Sequence, residues 1–381
     1  MTEIRRALRS LVELSPTPGN RFGVATRAAL AMAVPFGVLS LLGHEDIGLQ
    51  TAAGAFTTLF AASATARERA KVLPFVALAL LLSAALGAIL TPWHWAFAVG
   101  LVAVAVTAST ASFAFRIGPP GPVFFVLVYG LAANITSVVD DGVGGSAGGA
   151  GVFVGHRAND PVVFLIAMGA GATFAYLLAI APLLLPSARA LPARSLRELL
   201  PGPWLERGEP VLVLRIAIAA AIGTAISIIW LDPVHAYWTV SASVAVTGLT
   251  ASRSYALGRA LHRTLGTVAG AALYLVLVPL GTDPIVLIPL FALLQFIIEL
   301  VVVRNYALAL TFITPLVLLL TSAAMPQADL FGTAALPRGP PNRCLPAALA
   351  GRRIAGGGMT AHFGSRDPVL VFTCLQPKRR P

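Results

Sequence analysis

Apolar residues arrive along this chain in blocks of roughly 16–24, separated by short polar breaks, the length a helix needs to cross ~30 Å of hydrocarbon. The blocks are Val24–Leu42, Ile47–Ala64, Val72–Leu90, Trp95–Phe115, Pro122–Val139 and Val162–Leu185, then Val211–Trp230, Tyr237–Ala251, Leu265–Leu280, Pro284–Val303 and Ala307–Ala324. The pattern predicts an all-α integral membrane protein with about eleven transmembrane helices. The Tyr237 and Leu265 blocks are short, which predicts tilted, broken or re-entrant helices there.

The polar breaks set the orientation, because cytoplasmic loops of membrane proteins are rich in Lys and Arg. With a cytoplasmic N-terminus, the inner segments up to Leu330 hold eighteen Lys and Arg, including Arg27 and Arg215, and the outer ones hold Arg157 alone. A multi-pass protein of the cell (inner) membrane with its N-terminus in the cytoplasm is expected. Trp93, Trp95, Trp230, Tyr237 and Trp238 then fall at outer ends, where amphipathic rings favour the headgroup layer.

Sliding the chain against itself by 188 positions places Arg27 on Arg215, Lys71 on Arg259, Arg116 on Arg304 and Asp141 on Asp329. Because the first half has an even number of spans, the two halves form a parallel repeat of the kind found in transporters. The organisation expected is a cytoplasmic N-terminal segment (1–23), a first transmembrane repeat (24–186), a cytoplasmic linker (187–210) and a second repeat (211–330). A basic Gly/Pro/Arg-rich tail follows (331–381). The counterpart of Val162–Leu185 would be Ala350–Thr373, which cannot span a membrane, so twelve helices are expected by symmetry and eleven are written. The tail holds eight of the 27 basic residues, one acid (Asp367), and both cysteines, Cys344 and Cys374. It reads either as disordered or as an out-of-frame replacement of the twelfth helix, which resequencing across Met325–Gly332 would test.

Composition agrees with a membrane protein: 57% of residues are hydrophobic, 11% are charged and mean hydropathy is +0.83, outside the range of soluble domains. The net charge of +11 is dispersed over alternate loops with no basic groove, so no nucleic-acid partner is expected; the lipid bilayer is the expected partner. His44, His94, His156, His235 and His262 lack metal-ligand spacing, and the run Gly142–Gly155 lacks a phosphate-loop order. It reads as a flexible outer loop. No cofactor, no metal site and no enzyme activity is expected.

Three clusters carry candidate chemistry. Arg259 and Arg263 are four apart on one helix face, with Arg253 and His262 nearby; they either hold this end in the cytoplasm or form a cationic vestibule for organic anions. Gly266 and Gly270 form a small-xxx-small pattern for close helix packing. Glu299 is the acid inside a predicted span, shares a face with Gln295, and needs a cation, for which Arg304, Arg259 and Arg263 are candidates. It reads as a structural ion pair or as a proton-coupling or gating group.

The combination Tyr237-Trp238-Thr239, Arg259 and Arg263 leading into Gly266-Thr267 and Gly270, and Glu299 with Arg304-Asn305-Tyr306 resembles the fusaric acid resistance family, which includes integral membrane-bound transporters and aromatic acid exporters. The resemblance implies twelve helices in two halves and efflux of organic anions of the aromatic carboxylate type or related toxic compounds, with Arg259, Arg263, Glu299, Arg304, Asn305 and Tyr306 on the substrate path or gate. A periplasmic adaptor in some relatives, or a homo-oligomer, would be the protein partner. The alternatives are a gated organic-anion channel and a non-transporting membrane scaffold. The chain departs from the family after Asp329.

Overall fold

The structure is a computed structural model, of which residues 21–139, 156–157, 159–230, 235–247, 253–281 and 283–324 are described. The chain divides into two units, Met1–Thr333 and Ala334–Pro381, and all described residues lie in the first. The N-terminal segment, the glycine-rich run at 142–155 (apart from the pair at 156–157 that follows it), the acid at Asp141 and the tail from Phe331 lie outside the described residues.

Helices dominate because a backbone in hydrocarbon must satisfy its hydrogen bonds internally. Among the described residues eight helices have the length and hydropathy to cross a membrane. They are α1 (Phe22–Leu41), α3 (Ala66–Leu90), α4 (His94–Ala114), α6 (Pro161–Ile180, with a 3₁₀ turn to Leu184), α9 (Glu209–Trp230), α11 (Arg253–Leu277, with a 3₁₀ turn to Leu280), α12 (Pro284–Val301) and α13 (Tyr306–Ala324). Local sequence marks several starts. Asp160 and Asp283 each cap a helix whose first residue is proline, accepting from Val162 N at 2.7 Å and Ile285 N at 2.8 Å, the expected N-cap and N1 chemistry. Thr65 and Glu68 form a capping box at the start of α3.

Three of the eleven expected spans are not regular full-length helices. The second block becomes a short helix α2 (Glu45–Thr51) continued by a 3₁₀ segment, Ala52–Leu59, every residue of which is buried. Its small side chains let the backbone of α6 press against it: a Cβ on Gly54 would lie 2.2 Å from Met168 O, and one on Gly171 would lie 2.1 Å from Thr51 O. The fifth block gives only α5 (Val123–Ile135), after which Val138–Val139 pairs antiparallel with His156–Arg157 as β1 and β2. The eighth gives α10 (Ala236–Thr247), short as expected. The ninth is longer than its apolar block: α11 starts at Arg253, twelve residues before Leu265, so it takes in the charged stretch in which Arg259 and Arg263 were expected to share a helix face.

Small residues and aromatic rings set the packing, as expected where lipid removes the hydrophobic drive between helices. α1 lies along α12 and α4 along α9. Phe36 meets Phe291 at 5.9 Å and Phe22 meets Phe296 at 5.4 Å between ring centroids. α10 meets α5, where Tyr237 is fully buried. That corrects the interfacial role expected for Tyr237, whereas Trp93, Trp95 and Trp230 are exposed. The cause is Gly130, whose missing side chain opens the notch: a Cβ there would sit 1.9 Å from Tyr237 Cγ.

The segment read as a linker folds onto the bundle. It contains α7 (Pro186–Ala190) and α8 (Leu196–Leu199), Arg194 Nε bonds Glu68 at 2.7 Å, and Lys71 Nζ donates to Arg194 O at 2.6 Å. Arg116 bridges to Glu206 and Glu209, and Gly202 touches Ala114 O so closely that a Cβ would lie 2.1 Å away.

Candidate functional site

The end of the bundle where α1 begins holds two groups of buried or half-buried arginines. In the first, Glu299 on α12 has a side chain only 7% exposed. Arg21, just before α1, reaches it twice: Nη2 to Oε2 at 3.1 Å and Nε to the Glu299 carbonyl at 3.0 Å. A carboxylate held away from water requires such a cation. Arg27, farther along α1, lies within electrostatic reach of Glu299 and of Arg69. Arg69 is buried and donates to the carbonyls of Ala179 and Ala64, each at 3.0 Å.

This pairing corrects the partners expected for Glu299. Arg259 and Arg263 have other neighbours, and Arg21 takes the carboxylate because α1 packs along the same face of α12 that buries Gln295 and Glu299. Sequence reasoning placed Arg21 in the inner segments without a role. The signal for Arg27 was available, since it stands inside the first apolar block.

In the second group, α11 carries Arg259, His262 and Arg263 into the angle between α10 and the start of α13. The Arg259 guanidinium lies 4.0 Å from the centroid of the Tyr306 ring, a cation–π distance, and Nε donates to Ala245 O at 3.0 Å. Arg263 donates to Tyr306 Oη at 3.1 Å and to Ser241 Oγ at 3.5 Å. His262 Nδ1 accepts from Ala307 N at 3.3 Å, and Asn305 caps α13 by accepting from Leu308 N at 3.1 Å. Arg304 is exposed at the turn between α12 and α13. Arg259, Arg263 and Tyr306 therefore meet, Asn305 sits beneath them as a cap, and Glu299 belongs to the other group; the side chain of Arg253 lies outside the described residues. Ser241 is a member that spacing alone could not find.

Below this group α11 is clamped to α13 through its small residues. A Cβ on Gly266 would fall 2.4 Å from Ala307 O and one on Gly270 would fall 2.7 Å from Thr314 Cβ. Of the motif residues, Arg259, Arg263, Gly266, Gly270, Asn305 and Tyr306 build one junction of α10, α11 and α13, and Glu299 and Tyr237 lie at other contacts. Residues 218–350 match the fusaric acid resistance protein-like family. That match covers the second half of the bundle and runs past the last described residue, Ala324. A 124-residue stretch is 30% identical to an uncharacterised membrane protein, YvaC, of Bacillus subtilis (strain 168), covering 32% of this chain and 19% of that protein. The matched stretch thus spans about a fifth of the length of that relative. No solved structure matches.

Proposed function

We propose that the chain is an inner-membrane transporter that exports organic anions, with aromatic carboxylic acids as the substrate class. One observation carries this reading. Among the described residues, the half-buried guanidinium groups of Arg259 and Arg263 have only neutral partners: the rings of Tyr255 and Tyr306, the hydroxyls of Tyr255, Tyr306 and Ser241, and the Ala245 carbonyl. Two positive charges removed from bulk water without a carboxylate attract an anion. The rings of Tyr255 and Tyr306, 5.9 Å and 4.0 Å from the Arg259 guanidinium, offer an aromatic substrate a flat face. The family match supports transport as the activity class.

In this reading Glu299 and Arg21 form a latch. The pair ties α12 to α1, elements from the two halves, and opening it would let one half move against the other, as alternating access requires. Export need not be coupled, since an anion leaving a negative interior gains ~2.3 kcal/mol per 100 mV.

The test is efflux of benzoate-type acids from proteoliposomes, with membrane potential and pH gradient imposed separately. Arg259→Gln and Arg263→Gln should each raise the KM for the carboxylate about ten-fold, the loss of one charge-assisted contact. Wild-type flux with both variants unchanged would remove the second group from the substrate path. If Glu299→Gln alters the rate but not its pH dependence, the pair is a latch and not a proton carrier.

A further inference from the structure

The segment between α6 and α9 lies at a depth that α4 fixes. α4 has 21 residues, so it is about 31 Å long and just crosses the ~30 Å of hydrocarbon. Exposed Trp93 and Trp95 stand at its start. At its end the Trp204 amide donates to Ala114 O at 3.5 Å, and Trp204 is 64% exposed. Tryptophan gathers at both membrane interfaces, and α4 has such a layer at each end. The same segment shows Leu191, Leu196 and Leu205 on its surface. Apolar side chains left outside a packed core are unfavourable in water and favourable at the boundary between headgroups and acyl chains.

The charges of 187–210 are not balanced at that surface. The segment holds four arginines and three glutamates, but each glutamate is engaged within the protein: Glu206 and Glu209 by Arg116, and Glu198 by the Ser195 amide at 2.8 Å. Of the arginines, Arg194 is held by Glu68 and Arg189 donates to the Leu183 carbonyl. Arg197 and Arg207 are exposed, and among the described residues neither has an acid within ion-pair distance.

We propose that this segment is a binding surface for anionic phospholipid headgroups, with Arg197 and Arg207 pairing the phosphates and Trp204 and Leu205 set among the glycerol and upper acyl groups. Charge and depth together select the partner. A soluble anion meets the arginines but leaves the tryptophan and leucines in water, and a zwitterionic lipid accepts the apolar side chains but does not balance the arginines. Guanidinium forks match phosphate oxygens in pairs, and basic residues beside a membrane are drawn to the negative potential of anionic lipid. Seated on such lipid, the clasp is fastened from both sides: to the bundle through Glu68 and Arg116, and to the bilayer through its free arginines.

The probe is brominated phospholipid, whose bromines quench a nearby indole. Trp93, Trp95, Trp230 and Trp238 are each replaced by Phe, which leaves Trp204 as the one tryptophan of the full chain. The protein is placed in nanodiscs of phosphatidylcholine and phosphatidylglycerol in equal amounts, with one lipid or the other brominated. Brominated phosphatidylglycerol should quench Trp204 about twice as strongly as brominated phosphatidylcholine, and the preference should fade at high salt. Arg197→Gln together with Arg207→Gln should bring the two lipids to parity. Equal quenching in the parent chain overturns the proposal, and so does a preference that survives in the double variant. Quenching by neither lipid would put the segment in water, leave its arginines to a soluble partner, and equally overturn it. If the four Phe replacements do not fold, the unaltered chain serves: trypsin cleavage after Arg197 should be about five-fold slower in phosphatidylglycerol nanodiscs than in phosphatidylcholine ones, and equal rates overturn the proposal.

Discussion

Tyr237 and Gly130 show how one absent side chain joins two helices. Tyr237 is fully buried and its ring occupies the space a Cβ at position 130 would need, so Gly130→Ala must push α10 from α5. The expected cost is at least about 3 kcal/mol, the upper part of the overpacking range, read as a lowered unfolding midpoint in detergent. Adding Tyr237→Ala should recover part of that loss, whereas additive losses would mean the two residues do not compete for one space. The Glu299 and Arg21 pair makes a second residue-scale case. Arg21→Ala leaves a carboxylate in a site from which water is excluded, with a loss of about 3 kcal/mol expected. Arg304→Ala, exposed at its turn, should change the midpoint by less than about 0.5 kcal/mol. A larger effect of Arg304→Ala than of Arg21→Ala would mean that Glu299 has the other partner.

At the scale of elements, the segment 187–210 behaves as a clasp across the ends of α3 and α4 rather than a free tether. Its attachment is polar: Glu68 is buried and holds Arg194, and Arg116 holds Glu206 and Glu209. Arg194→Ala should free α8 without disturbing the membrane helices, since Arg194 itself is largely exposed. Limited trypsin digestion after Arg197 is expected to accelerate roughly ten-fold, because proteolysis follows local opening. Unchanged digestion would place the anchor in the close contact of Gly202 with Ala114 instead.

For the whole molecule, the halves hold each other through α1 on α12, α4 on α9 and α5 on α10. Residues 1–204 and 205–381, co-expressed as separate chains, should therefore purify together from membranes, and failure to do so would make the clasp the main tie. Phe291→Ala should weaken that association and the intact fold by about 3 kcal/mol, since Phe36 and Phe291 fill the α1 and α12 contact. The all-helical membrane architecture was legible in the chain because hydrocarbon imposes length, hydropathy and internal hydrogen bonding on each span separately. The Asp-Pro starts of α6 and α12 were local in the same sense. Arg259 and Arg263 could be placed on one face by their spacing, and the glycines of α11 could be assigned to packing. Spacing could not say which cation meets Glu299, that Tyr237 turns inward, or that the second span breaks into a 3₁₀ segment. Those outcomes depend on which backbones approach closest, and here that is decided by Gly130, Gly54 and Gly171 meeting surfaces more than a hundred residues away in the chain.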